Sequence, residues 1–524
     1  MAHDGVKDSS KHSSDSLIIM LCTLASRLLG ILKARAIAMV FGATGVADVI
    51  NFTFNIPNNF RKLFAEGALS TAYIPVFSSS IAEEGGGIVK SGALLARMQA
   101  FQLVVSIPLV LLTWIWRIDI IRFLSDFTDS GHIILSGNLL VYFMVFLGTI
   151  SFAALYGGLL QSHGSFFLAA AAPLIFSISV IASVYGLSRY IGAYSMAFGV
   201  VFGGSVQALV TFLGLKRFGY RFTLSFDFTS SDFHRVMHTW APVTITAVIA
   251  IITQQVSFYF ASTLEEGTVT AFSNAIIIWQ APYGIFYNAI ATVFFPAMVR
   301  AFATGKGKEL DQLVHKGLLD IATLLVPAAI LLTTLRFETT AVLLQSGRFL
   351  LSDTVNTGGV LLWFTVGMPV VAWYGFLQRV CYSTNHFKST LVVGIIVSIV
   401  DIAIMFFGIR MGYGAASLSL ANTVSFAIGT VVLWVVSRAK AKVEIGIGKL
   451  VVNLIRLLIA NIPLITLAII YLRYFNASWW TDGSNIGNLL ILVGLYVAAM
   501  GITIVSYRLA GIEFIQVLFR RRRR

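Results

Sequence analysis

The sequence predicts an all-α polytopic membrane protein of about fourteen transmembrane helices, built as two parallel six-helix repeats followed by two C-terminal helices. Composition is the first reason: of 524 residues, 57% are hydrophobic and 11% charged, and the mean hydropathy of +0.85 excludes an ordinary soluble domain. The second is that apolar runs long enough to cross a bilayer recur from about residue 17 to about residue 510. The third is a repeat. Ala68-Leu69-Ser70-Thr71-Ala72-Tyr73-Ile74-Pro75 returns as Ala289-Ile290-Ala291-Thr292-Val293-Phe294-Phe295-Pro296, and Ser162 and Phe166 map onto Ser383 and Phe387 at the same offset of 221.

Each element is read from apolar runs and their polar breaks. Met1 to Asp15 is rich in Ser, Asp and His and reads as an unstructured cytoplasmic tail. The apolar segment after Asp15 is too long and too charged for the core of a cleaved signal peptide, so it reads as the first span. The N-lobe, residues 17–217, holds spans near 17–42, 48–79, 94–116, 133–160, 166–187 and 191–215. The C-lobe, 232–440, holds spans near 236–261, 268–299, 317–335, 354–378, 389–409 and 412–437. Spans near 450–472 and 486–507 form an appendage, 446–510, and a basic tail, 511–524, closes the chain. Several spans exceed the minimum length, which fits tilted or kinked helices with Pro57, Pro282 and Pro369 inside them. Spans 2 and 8 run in the same direction because the eighth comes an even number of spans, six, after the second. The halves are thus expected to be parallel repeats about an axis along the membrane normal, as in transporters that alternate access around a central site.

Charge asymmetry tests this count independently. With both termini inside, 24 of the 37 Lys and Arg fall in cytoplasmic segments, 7 in external loops and 6 within spans, a bias that places both ends in the cytoplasm. It also explains most of the formal net charge of +14. The terminal run Arg520 to Arg524 suits anionic lipid, and nothing else in the chain suggests a nucleic-acid surface.

The exceptions within spans are informative. Arg27, Lys33 and Arg35 lie in the first span and Arg61 and Lys62 in the second, with Asp48 and Glu66 nearby. A charge at bilayer depth normally faces a partner, a wet cavity or a substrate path. Counted inward from the outer ends of their spans, Arg27 lies roughly 22 Å deep and Arg61 and Lys62 roughly 20 Å deep, near the midplane. The cluster carries +3 if all seven groups are ionised, so an anionic ligand, water or counter-ions must share its space. A blander account pairs Lys62 with Glu66 at i, i+4 and lets Arg35 snorkel outward. Asp401, in span 11, has no cationic partner on its own helix and is a candidate cation or proton site; Arg456, in span 13, comes after a basic stretch.

Enzyme signatures are missing. There is no HExxH, no GxSxG and no phosphate-binding GxxxxGK[ST], and Cys22 and Cys381 form no metal or disulfide pattern. No enzyme activity and no cofactor are expected.

Ser26-Arg27-Leu28-Leu29-Gly30, Phe41-Gly42-Ala43 and the block Pro57-Asn58-Asn59-Phe60-Arg61-Lys62-Leu63-Phe64-Ala65-Glu66-Gly67-Ala68, with Pro75 beyond, resemble the N-terminal signature of the MurJ (MviN) lipid II flippases of bacteria. The resemblance implies membership of the wider MOP exporter superfamily. It implies a substrate, undecaprenyl-pyrophosphate-linked disaccharide-pentapeptide, moved to the outer leaflet of the bacterial cytoplasmic (inner) membrane for cell-wall synthesis. It also implies a groove for the polyprenyl tail beside spans 13 and 14. Cell-wall synthesis proteins are the protein partners to expect, and anionic membrane lipids the lipid ones.

Carried over by position, the family's cavity residues fall on Ser26, Arg27, Lys33, Asp48, Arg61, Lys62 and Glu66. A sodium site present in some members falls on Ser257, Asp401 and Thr423, implying coupling to Na⁺ or H⁺ beside the membrane potential. Two departures stand out. Lys33 and Lys62 stand where the family usually has arginine, which keeps charge but loses the bidentate fork. Ile277 stands where the family commonly has a substrate-binding arginine. The competing expectations are an exporter of another polyprenyl-linked saccharide or of drugs from the same superfamily, and a non-transporting membrane scaffold for cell-wall enzymes.

Overall fold

A computed structural model describes residues 2–64, 68–83, 87–444, 446–474 and 478–512. Glu66 and the basic run Arg520 to Arg524 lie outside the described residues. All regular structure among the described residues is helical. Ten helices are long and apolar enough to cross a bilayer, eleven when one bent pair is taken as a single span. The expected spans missing from that set include the first two. Their described parts carry Arg27, Lys33 and Arg35 in one and Asp48, Arg61 and Lys62 in the other, so it is the charged cluster that lowers their apolarity.

The chain divides into two compact units, Met1–Val269 and Thr270–Arg524. The first contains α1 (Ala2–Phe41), α2 (Gly45–Phe64), α3 (Ala68–Ala82), α4 (Gly87–Leu124), α5 (Ser130–Ser162), α6 (Phe166–Ile191), α7 (Tyr194–Lys216) and α8 (Ser231–Ser262). Helix α1 starts at Ala2, so residues 2–15 continue the helix of the first span where an unstructured tail was expected. Once the apolar segment has nucleated a helix, each further residue adds a hydrogen bond without a new nucleation cost.

Within this unit α5 is the central post, packing on α2, α3, α4, α6 and α7, while α1 lies along α6 and α8 packs on α2, α3 and α4. One apolar core joins Phe41, Val49, Ile50, Phe143, Phe146, Val180 and Val200, and a second joins Leu69, Tyr73, Phe77, Leu94, Leu159 and Leu215. Helices α6 and α7 touch almost backbone to backbone. A Cβ on Gly199 would stand 2.9 Å from Val180 Cα and one on Gly203 3.1 Å from Phe176 Cα, so small residues four apart set this contact.

The second unit contains α9 (Thr268–Ala303, which starts two residues before the unit), α10 (Gly307–Thr334), α11 (Arg336–Leu344), α12 (Leu351–Ser383), α13 (Phe387–Arg410), α14 (Ala416–Ala439), α15 (Ile447–Ala460), α16 (Ile462–Tyr474) and α17 (Ile486–Leu509). Here α12 is the post, packing on α10, α11, α13 and α14. Span 13 is the bent pair: α15 and α16 meet at 41°. The side chain of Asn461 at the bend donates to Leu457 O at 2.8 Å and to Tyr507 OH at 2.9 Å.

Helix boundaries carry the internal repeat further than the residues do. Helices α5 and α12 both start and end 221 residues apart, α6 and α13 start 221 apart, and α1 and α8 end 221 apart. Helix α4 has a non-helical residue at Trp116 (φ −104°, ψ 20°), and its counterpart is broken outright into α10 and α11. The short α11, unforeseen in the sequence, thus corresponds to the last turns of α4. Pro57, Pro282 and Pro369 do lie inside helices.

Candidate functional site

Helices α1 and α2 present the charged residues. At about 100° per residue, Ser26 and Lys33 fall roughly 20° apart on α1, whereas Arg27 and Lys33 fall roughly 120° apart. Ser26, Arg27, Lys33 and Arg35 are all half-buried. Lys33 is the best-defined of them: its ammonium lies 5.2 Å from the ring centroid of Phe54 on α2 and 5.2 Å from that of Phe176 on α6. Both are cation–π distances, and together they clamp a flexible side chain between two helices.

Helix α2 offers a polar stripe, Asn51, Asn55, Asn58 and Asn59, at helical spacing. Asn58 Oδ1 accepts Arg61 Nε at 3.2 Å. Lys62 Nζ donates to Asn59 Oδ1 and to Gln254 Oε1 of α8, each at 2.9 Å, and Gln254 Nε2 reaches Asn55 Oδ1 at 3.4 Å. Thr53 Oγ1, Asn55 Nδ2 and Asn59 Nδ2 are buried without a protein partner among the described residues. Helix α2 therefore carries two cations held by amides, beside polar atoms still available to water or ligand. The Lys62–Glu66 pair lies outside the described residues.

Asp48 sits in the first turn of α2. It is 4% exposed, and its Oδ2 accepts the Gly267 N–H at 2.7 Å. Next to it Glu266 accepts the Gly45 N–H through Oε1. Gly267 has φ +91°, and a Cβ there would sit 2.7 Å from Ala43 O, so the α8–α9 turn seats on the α1–α2 turn only as glycine. Asp48 is thus an anchor at the helix ends.

Of the three residues assigned to a cation site, Asp401 is 4% exposed on α13 and accepts Ser425 Oγ of α14 at 3.2 Å. Ser257 Oγ donates to Thr253 O at 3.0 Å and Thr423 Oγ1 to Trp363 O at 2.6 Å. Among the described residues no cluster of three His, Cys, Asp or Glu exists. The Asp401 carboxylate and the Ser425 hydroxyl on it are hard oxygen donors, a chemistry that favours an alkali or alkaline-earth cation over zinc.

Ile277 is half-buried on α9. Two residues on, Trp279 stacks on Phe364 of α12 at 5.6 Å, and Tyr287 takes a hydrogen bond from Arg379 Nε at 3.3 Å. The residues that sequence reasoning missed are Phe54, Phe176, Asn58, Asn59 and Gln254. The asparagine stripe was a visible signal; the aromatic clamp was not, because its rings come from helices far apart in sequence.

The fold and this site define a class: a multi-pass helical membrane protein with cations held inside its apolar segments, of the kind that moves charged cargo. The family model for lipid II flippase MurJ matches residues 37–491. A probable lipid II flippase MurJ of Borreliella burgdorferi is 30% identical over 504 residues, covering 96% of this chain and 98% of that protein. The chain belongs to the lipid II flippase MurJ family. Its fold is also that of a solved lipid II flippase MurJ in an inward closed conformation (TM-score 0.75, 20% identity, 96% of this chain and 100% of that one). A multidrug-resistance MATE transporter of the MOP superfamily in an inward-facing conformation is similar too (TM-score 0.66, 13% identity, 79% and 94%).

Proposed function

We propose that this chain flips lipid II, undecaprenyl-pyrophosphate-linked disaccharide-pentapeptide, from the inner to the outer leaflet of a bacterial cytoplasmic membrane. The observation that carries the reading is the placing of Lys33 and Arg61 in segments meant for lipid: Lys33 is held between the rings of Phe54 and Phe176, each at 5.2 Å, and Arg61 by Asn58 of α2. Holding them so is costly unless an anion of matching charge spends part of the cycle between them, and a pyrophosphate is such an anion. Family membership supports the same cargo.

The transport step needs no covalent chemistry and makes the chain a carrier, not an enzyme. Arg27, Lys33, Arg61 and Lys62 bind the pyrophosphate, with Ser26 and Glu66 beside them. The two six-span lobes alternate access, and spans 13 and 14 flank the polyprenyl tail. Both termini face the cytoplasm, where basic segments meet anionic lipid and cell-wall synthesis proteins. An inside-negative potential supplies about 2.3 kcal/mol per charge per 100 mV, which returns the emptied cationic cavity inward. Ser257, Asp401 and Thr423 couple the cycle to sodium or protons. Depleting the protein and measuring which precursor accumulates tests the reading. Lipid II build-up on the cytoplasmic leaflet is expected; build-up of another polyprenyl-linked saccharide, or of none, transfers the chain to exporters of other cargo or to scaffolds.

A further inference from the structure

A cavity of about 500 Å³ lies in the second unit, between α10, α15 and the chain just past α17, far in sequence from the N-terminal cations. Its lining includes Lys316 and Asp320 from α10, Glu444 before α15, and Lys449, Asn453 and Arg456 from α15. The floor is closed: Tyr507 OH donates to Thr323 O at 3.2 Å and receives Asn461 Nδ2 at 2.9 Å, over an apolar cluster of Ala322, Leu457 and Ala460. The Asn453 amide and the His315 ring meet at 3.5 Å across the α10–α15 contact.

Three features define what fits. First, Lys316, Lys449 and Arg456 line one space with Asp311, Asp320 and Glu444, yet among the described residues none of the three cations lies within 4 Å of a carboxylate, so the cavity offers separated positive and negative groups. Second, carboxylates are present but engaged or set apart: Asp311 accepts the Glu444 N–H at 2.8 Å, and the Glu444 side chain is exposed at the rim. Third, α15 is two-faced. Lys449, Asn453 and Arg456 fall on its cavity side, while Val451, Val452, Ile455, Leu458 and Ile459 are 45–64% exposed on the other. A helix of that kind at a lipid boundary puts its charges where phospholipid headgroups lie and its apolar face against acyl chains.

We propose that this cavity binds the headgroup of a membrane phospholipid carrying both a phosphodiester and an ammonium, of the phosphoethanolamine type. Lys316, Lys449 and Arg456 take the phosphate, Arg456 with a fork that matches two of its oxygens. The Asp311–Glu444 rim takes the ammonium, which a purely acidic headgroup lacks. The acyl chains then run along the apolar face of α15, so a resident lipid is wedged against the bent span 13. The proposal concerns a site separate from the one proposed for the cargo's pyrophosphate and stands whether or not the cargo is lipid II.

The test uses the full chain purified in a neutral detergent and read by native mass spectrometry, with dihexanoyl phosphatidylethanolamine, dihexanoyl phosphatidylglycerol and soluble glycerophosphoethanolamine as probes. The ethanolamine lipid is expected to bind at least about tenfold more tightly than either of the others. Lys449→Gln and Arg456→Gln are each expected to weaken it about tenfold, with Arg456→Lys in between. All three cations are exposed, so these variants are expected to fold, and Lys316→Gln at the rim provides a further removable charge. Equal or tighter binding of the glycerol lipid overturns the ammonium assignment. Equal binding of the soluble headgroup overturns the lipid assignment, and unchanged binding by the Lys449 and Arg456 variants overturns the site.

Discussion

Asp48 Oδ2 accepts the backbone N–H of Gly267 at 2.7 Å, which ties the N-terminal end of α2 to the turn after α8. The pair gives a residue expected at the cargo site a mechanical duty. It predicts that Asp48→Ala destabilises the protein by about 1.5–3 kcal/mol, the usual range for a hydrogen bond to a charged group, whereas Asp48→Asn keeps an acceptor and loses less. Gly267→Ala is expected to cost more than about 1 kcal/mol, since an L side chain there meets both left-handed backbone strain and Ala43 O. Thermal unfolding of the purified protein reads both. Full stability of Asp48→Ala with loss of transport would instead return Asp48 to the cargo.

Lys33 between Phe54 and Phe176 yields a second prediction. Lys33→Arg is expected to retain transport, because a guanidinium also stacks on rings and binds pyrophosphate. Lys33→Met keeps length and loses charge and is expected to abolish transport while accumulating normally. Phe54→Leu removes one ring and is expected to weaken the positioning of Lys33 by about 0.5–2 kcal/mol, seen as reduced transport at unchanged protein level. Equal transport by Lys33→Met and wild type contradicts the role.

Much of this architecture is legible in the chain, because burial in lipid forces continuous apolar runs and most runs end within a few residues of a helix end. The misses have physical causes. The bend at Asn461 lies two residues before Pro463, whose ring takes an N–H out of the helix ladder and was a readable signal; the hydrogen bond from Asn461 to Tyr507, 46 residues away, was not. The short α11 opens on Arg336 and Glu338, charged residues that read as the end of the ninth span. The position of Asp48 at a helix end was visible, but its partner, a backbone amide 219 residues on, was not. At the site, charge at depth picked out the cations, whereas Gln254 on α8, which holds Lys62, looked like any amide in a long helix.

Asp401 is buried and bonded to Ser425. If it serves the coupling ion, Asp401→Asn is expected to reduce the dependence of transport on the sodium or proton gradient, leaving headgroup affinity unchanged. Transport assays across imposed gradients check this, and unchanged ion dependence assigns Asp401 to packing alone.

Ile277→Arg tests the departure from the family. Ile277 is half-buried, one turn from Asn274, whose Nδ2 is buried without a partner among the described residues. If position 277 faces the cargo, the arginine is tolerated and tightens substrate binding by about tenfold, one charge-assisted pair. Failure of the variant to accumulate in the membrane shows that the side chain meets lipid or packed protein, where an unpaired charge is destabilising.

The central claim is that the cations of α1 and α2 bind a pyrophosphate, and flipping of lipid II in proteoliposomes tests it most directly. Arg27→Ala and Arg61→Ala, inserted at wild-type levels, are each expected to lose transport, because each removes a charge aimed at the cargo and neither opens the core. Wild-type flipping by both variants would contradict the account.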